Sequence, residues 1–127
     1  MKAKTYIVKV AADGTVAREE FNHADPLGQL QRAVGGYIER VPVPMVGWHD
    51  LFVNEDGLLE GLPTNAALTE LVIRRTRNYA ARIVGDGVFA GHDEDGEAVG
   101  LTEAECEDIE RMLARLGAKV AGKEVAR

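Results

Sequence analysis

Three times along the chain, two short extended runs give way to an amphipathic helical stretch, and this order constrains the fold more than any other feature. In the first round, Lys4-Thr5-Tyr6-Ile7-Val8-Lys9-Val10 places Tyr6, Val8 and Val10 on one face and is rich in β-branched residues, the pattern of a half-buried strand. Asp13-Gly14 supplies a turn, and Val16 to Phe21 completes an expected hairpin. Asp25-Pro26 reads as a helix start, because Asp accepts hydrogen bonds from free backbone N–H groups and Pro suits the first turn. Leu27, Leu30 and Val34 form the apolar stripe of that helix, and Gly35-Gly36 marks its end.

The second round starts with an extended Tyr37 to Val41, which Pro42 and Pro44 confine to a sheet edge. Trp48 to Val53 is the next expected strand, Asn54 to Gly57 its turn, and Pro63-Thr64-Asn65 precedes a helix with Ala67, Leu68, Leu71 and Val72 on one side. In the third round Arg82 to Ala90 reads as one strand bent at Gly85-Asp86-Gly87, and Asp93 to Gly96 as a hairpin turn. Thr102 with Glu105 is a capping box for the last helix, whose stripe is Ile109, Met112, Leu113 and Leu116, with Gly117 as a stop. The order β-β-α-β-β-α-β-β-α predicts an α+β domain, a mainly antiparallel sheet with two or three helices packed on one face. Residues 1–117 form the expected domain, and the small, basic 118–127 segment a flexible tail.

Composition narrows the function classes. A length of 127 residues suits one domain, and a lone Cys106 cannot form an internal disulfide. No apolar run of about 18 residues and no apolar stretch after the first Lys residues is present, so the expectation is a cytoplasmic protein without a membrane partner. The net charge of -6 hides an asymmetry. Residues 93 to 110 hold nine acids and no base; without them, 12 acids face all 15 bases. Between Leu71 and Gly85 lie Arg74, Arg75, Arg77 and Arg82, with no acid among them. The pI near 5.1 disfavours a long duplex-DNA footprint, yet one basic face could hold a small anion.

Candidate sites each have a structural alternative. Asp93-Glu94-Asp95-Gly96 fits a solvated turn better than a calcium loop, and the three His residues lack zinc spacing, so no metal or other cofactor is expected. Cys106, flanked by Glu105 and Glu107, has a raised thiol pKa in prospect and suits a core position. No elbow, phosphate loop or other catalytic signature is present. Asn54, Asn65 and Asp86 sit at expected element ends, where they either cap backbone groups or converge on a ligand. Trp48 and Tyr37 either pack or stack on a ligand ring. Arg74, Arg75 and Arg77 either complement the negative end of the second helix or grip phosphate.

Leu30-Gln31-Arg32-Ala33-Val34-Gly35-Gly36-Tyr37-Ile38-Glu39 is followed at characteristic intervals by Val53-Asn54-Glu55-Asp56-Gly57, Leu62-Pro63-Thr64-Asn65, Ile83-Val84-Gly85-Asp86 and Gly100-Leu101-Thr102. Over roughly residues 4 to 115 this string resembles a domain-of-unknown-function family, DUF3846-like, of phages, plasmids and mobile elements of Gram-positive bacteria. The resemblance carries no activity. It implies an accessory protein of a mobile element, with a counter-defence role, and it does not extend to Arg74–Ala81.

Three function classes follow. The first is a non-enzymatic, oligomeric binder of a small nucleotide-like anion, using Arg74, Arg75 or Arg77 for phosphate, Asn54, Asn65 and Asp86 for hydrogen bonds, and Trp48 or Tyr37 for stacking. The second is an inhibitor or adaptor that presents Glu103, Glu107 and Glu110 to a basic surface on a host protein. The third is a small nucleotide-acting enzyme with Asp86 or Glu39 as base.

Overall fold

The structure is a computed structural model that describes residues 3–45, 47 and 49–121. β1 (Tyr6–Val10) and β2 (Thr15–Glu20) form the expected hairpin, in register from Tyr6 opposite Glu20 to Val10 opposite Val16. α1 (Pro26–Val34) starts at Asp25, whose carboxylate accepts the Gly28 N–H at 3.1 Å, and ends at Gly35, which donates to the Gln31 carbonyl. β3 (Ile38–Val41) and β4 (His49–Asn54) pair antiparallel, and α2 (Ala66–Thr76) follows. β5 (Gly87–His92) and β6 (Ala98–Val99) flank the Asp93–Gly96 turn. α3 (Glu103–Arg115) carries the capping box in full, and β7 (Lys119–Val120) comes last.

The strands make a seven-stranded sheet in the order β3-β4-β5-β1-β2-β7, with β6 paired to the far end of β5. All pairings are antiparallel except that of β7 with β2. The class is α+β, as the element order predicts. Two of the three helices, α2 and α3, share one face, while α1 covers the opposite one. The strands explain why: β1 buries Ile7 as well as Val8 and Val10, and β5 buries Val88, Phe89 and Ala90 in succession. Such runs need cover on both sides. Val8, Val10, Leu51 and Phe89 pack with Leu68, Leu71, Cys106, Ile109 and Leu113 under α2 and α3. Ile7, Val88 and Ala90 pack with Phe21, Leu30 and Val34 under α1.

Two segments differ from the pattern. Arg82 to Ala90 is not one bent strand. Ile83-Val84 makes only an isolated bridge, Val84 to Thr64, and β5 begins at Gly87. Gly85 has φ +76, which breaks the run, and a Cβ at Gly87 would lie 2.4 Å from Leu68 Cδ1, so α2 sits directly on the start of β5. Beyond Gly117, Lys119 and Val120 pair with Thr15 and Val16, which makes this stretch part of the sheet; residues 122–127 lie outside the described residues.

Candidate functional site

Charged and apolar groups meet along α3, where Arg75 from the end of α2, the loop before β4 and His49 complete the walls. The result is a groove of about 590 Å³ lined by Met45, Gly47, His49, Arg75, Glu105, Asp108, Ile109, Arg111, Met112 and Arg115. Local sequence builds each wall. Asn65 anchors α2: its Oδ1 accepts the Leu68 N–H at 3.1 Å, and its Nδ2 donates to the Val10 and Gly85 carbonyls at 3.1 and 3.0 Å. Thr102 and Glu105 cap α3 reciprocally, at 3.2 and 2.8 Å. Asn65 thereby ties the start of α2 to β1 and the Gly85 bend, and Arg75 in its last turn reaches Met112 on α3.

The polar floor grows out of the α3 cap. One Glu105 oxygen accepts the Thr102 backbone N–H, and the other lies 3.1 Å from His49 Nε2 on β4, a side chain only 9% exposed. Burial works against ionisation of Glu105, but the Thr102 N–H and the His49 ring outweigh it and hold the carboxyl below its ordinary range. Arg75 reaches across from α2, donating to the Pro44 carbonyl at 3.2 Å and lying 3.3 Å from Met112 Sδ. Arg111 is ion-paired with Asp108 one turn earlier, and Arg115 stands in the last turn of α3. Met45, Ile109 and Met112 supply the apolar part of the lining. The lining thus combines adaptable thioether surface and three guanidinium groups with the carboxylates of Glu105 and Asp108.

The structure divides the residues singled out from sequence. Of the three arginines only Arg75 enters this groove; Arg74 pairs with Glu70 at 2.8 Å, and Arg74 and Arg77 line a separate hollow with Tyr79. Asn65 is fully buried and occupied as a cap. Asn54 is also buried, donating to the Val34 and Gly35 carbonyls at 3.3 and 3.4 Å and accepting the Asp56 N–H. Asp86 accepts the Ala12 N–H at 2.9 Å and pairs with Lys9 at 3.5 Å. Tyr37 is 68% exposed beside Asn54 in a small hollow away from the arginines. Trp48 lies outside the described residues. These positions therefore do not share one pocket.

Glu39, offered as a base, lines a mixed-charge hollow of about 230 Å³ with Arg40, Glu55 and Arg82. On the acidic helix, Glu103 and Glu107 are exposed, but Glu110 is 4% exposed and holds Arg18 in a two-pronged ion pair at 2.7 and 2.9 Å. Glu110 is committed to the fold and is not part of an outward acidic face. Cys106 is fully buried, and burial above all pushes its thiol up to about 11, with Arg18 opposing and Glu110 adding to the rise. Among the described residues, no group of three or more His, Cys, Asp or Glu is placed to hold a metal ion, and no helix is long and apolar enough to cross a membrane.

Sequence reasoning passed over His49, Arg111 and Arg115 as a set. The i,i+4 spacing of Arg111 and Arg115 on α3 was the available signal, because it places both on one side of the helix. A family model, that of a domain of unknown function, DUF3846, matches residues 2–114. The chain belongs to the DUF3846 family. No curated protein and no solved structure gives a significant match. The DUF3846 match covers all the groove residues except Arg115, which lies one residue beyond it.

Proposed function

We propose that the protein is a non-enzymatic binder of a small, nucleotide-like organic anion, held in the groove along α3. The observation that carries this reading is that Arg75 and Arg115, with Arg111 paired to Asp108, line one groove of about 590 Å³ together with Met45, Ile109 and Met112. That volume falls in the range of small-molecule sites. A planar base would lie on the thioether lining, and phosphate oxygens would accept from Arg75 and Arg115. In the phage or mobile-element setting that the family resemblance implies, a protein of this kind would counter host defence by sequestering a nucleotide-derived signal.

Calorimetric titration with adenosine monophosphate and with a cyclic dinucleotide tests it. Saturable binding is expected, weakened about tenfold or more by Arg75→Ala and by Arg115→Ala, the worth of a lost charge-assisted hydrogen bond. Absence of binding to both probes at millimolar concentration would overturn the reading, and so would binding that neither substitution changes.

A further inference from the structure

The arginine-rich end of α2 is only partly used by the groove. Past Arg75 the chain turns at Arg77, which has φ 60 and is, among the described residues, the one non-glycine residue with positive φ. The turn that follows is held by its own polar groups. Thr76 Oγ1 donates to the Val72 carbonyl at 2.7 Å and accepts the Asn78 N–H at 3.1 Å, while Asn78 Oδ1 accepts the Ala80 N–H at 3.1 Å. The Asn78 carbonyl accepts the Ala81 N–H, also at 3.1 Å. Within this hydrogen-bonded turn Tyr79 stands 74% exposed. Tyr79 lines a hollow of about 370 Å³ with Arg74, Arg77, Ile73 and Glu70. The Glu70 carboxylate accepts from Arg74 Nε at 2.8 Å and so holds that guanidinium along the helix, on the wall of the same hollow.

We propose that this hollow binds single-stranded nucleic acid without sequence preference, with Tyr79 stacking on a base and Arg74 and Arg77 contacting backbone phosphates. Every base has a π-face, so a presented aromatic ring flanked by cations favours strands whose bases are unstacked. A duplex hides those faces and offers the ring nothing. The footprint is two or three nucleotides wide at most, so affinity is modest, in the range of about 10–100 µM at low salt, and falls as salt rises.

Fluorescence anisotropy with a 5′-labelled oligothymidylate, in low and physiological salt, provides the test. Tyr79→Ala should weaken binding about tenfold, and Tyr79→Phe, which keeps the ring, should restore it. Arg77→Gly, which suits the left-handed backbone, should weaken binding and flatten the salt dependence by about 0.7 in log–log slope. Arg32→Ala, which removes an exposed cation from α1 on the opposite face of the sheet, should leave oligothymidylate binding unchanged. The proposal is overturned if the strand does not bind, if a duplex of equal length competes equally, or if Tyr79→Ala binds as well as the wild type.

Discussion

Asn65 is buried from solvent, yet its carboxamide satisfies three backbone groups from three parts of the chain: the first turn of α2, the end of β1 and the bend at Gly85. Replacing it with Ala removes the cap and leaves the Val10 and Gly85 carbonyls without that donor. Asn65→Ala should cost about 2–4 kcal/mol in urea unfolding, a cap plus the penalty of unsatisfied buried acceptors. Arg77 offers the opposite case. Its φ of 60 is one that side chains adopt at a cost, so Arg77→Gly should stabilise the protein by about 1 kcal/mol in the same measurement. The caps at Asp25, Asn65 and Thr102 are legible in sequence because a cap and the N–H it serves lie within three residues. Asn54 shows where that legibility stops. Its amide serves carbonyls 19 and 20 residues earlier, and only the folded turn of α1 against β4 brings them together.

At the scale of elements, α3 is tied down by two carboxylates that play different parts. Glu105 belongs to the cap and to His49, and its pKa is lower in the fold than in the unfolded chain. The unfolded state therefore binds the proton first as pH falls. The stabilisation is complete above the ordinary carboxylate range and drains away as pH drops through the lowered folded value. Urea midpoints taken across the acid range should show this loss in the wild type, and Glu105→Gln should have a flatter acid limb. Glu110 instead reaches inward to Arg18 on β2, 92 residues away in sequence, with the Arg18 guanidinium 5.6 Å from the centre of the Tyr6 ring. Glu110→Ala leaves the Arg18 guanidinium with only the longer Glu103 ion pair at 3.5 Å and should cost about 2–3 kcal/mol, whereas replacing both partners with apolar residues should cost much less. A double-mutant cycle separates the two outcomes. Periodicity could not reveal this pair, because Glu110 reads as one of nine acids in a run and nothing local marks it as the one that faces in.

Across the whole molecule, local patterns specify the elements and long-range pairing decides their arrangement. The three β-β-α rounds predict the α+β class and the hairpins, but not that β5 runs between β4 and β1 at the centre of the sheet. Its neighbours come from the first and second rounds, and their apolar faces select it because five of its six residues are buried, a larger share than in β1. The same logic governs the far edge. β2 would be an open edge strand if the chain ended at Gly117; instead Lys119 donates to the Gly14 carbonyl at 2.7 Å and Ala121 to the Val16 carbonyl at 2.6 Å. Ala118 and Val120 also pack against the core under α3. A variant truncated after Gly117 loses those contacts and two ladder bonds, about 2 kcal/mol from the apolar area and hydrogen bonds together. It also bares the outward groups of β2, a template for pairing with another molecule. The truncated protein should unfold at lower urea and sediment with a concentration-dependent increase in mass, while the intact chain shows no such increase through this edge.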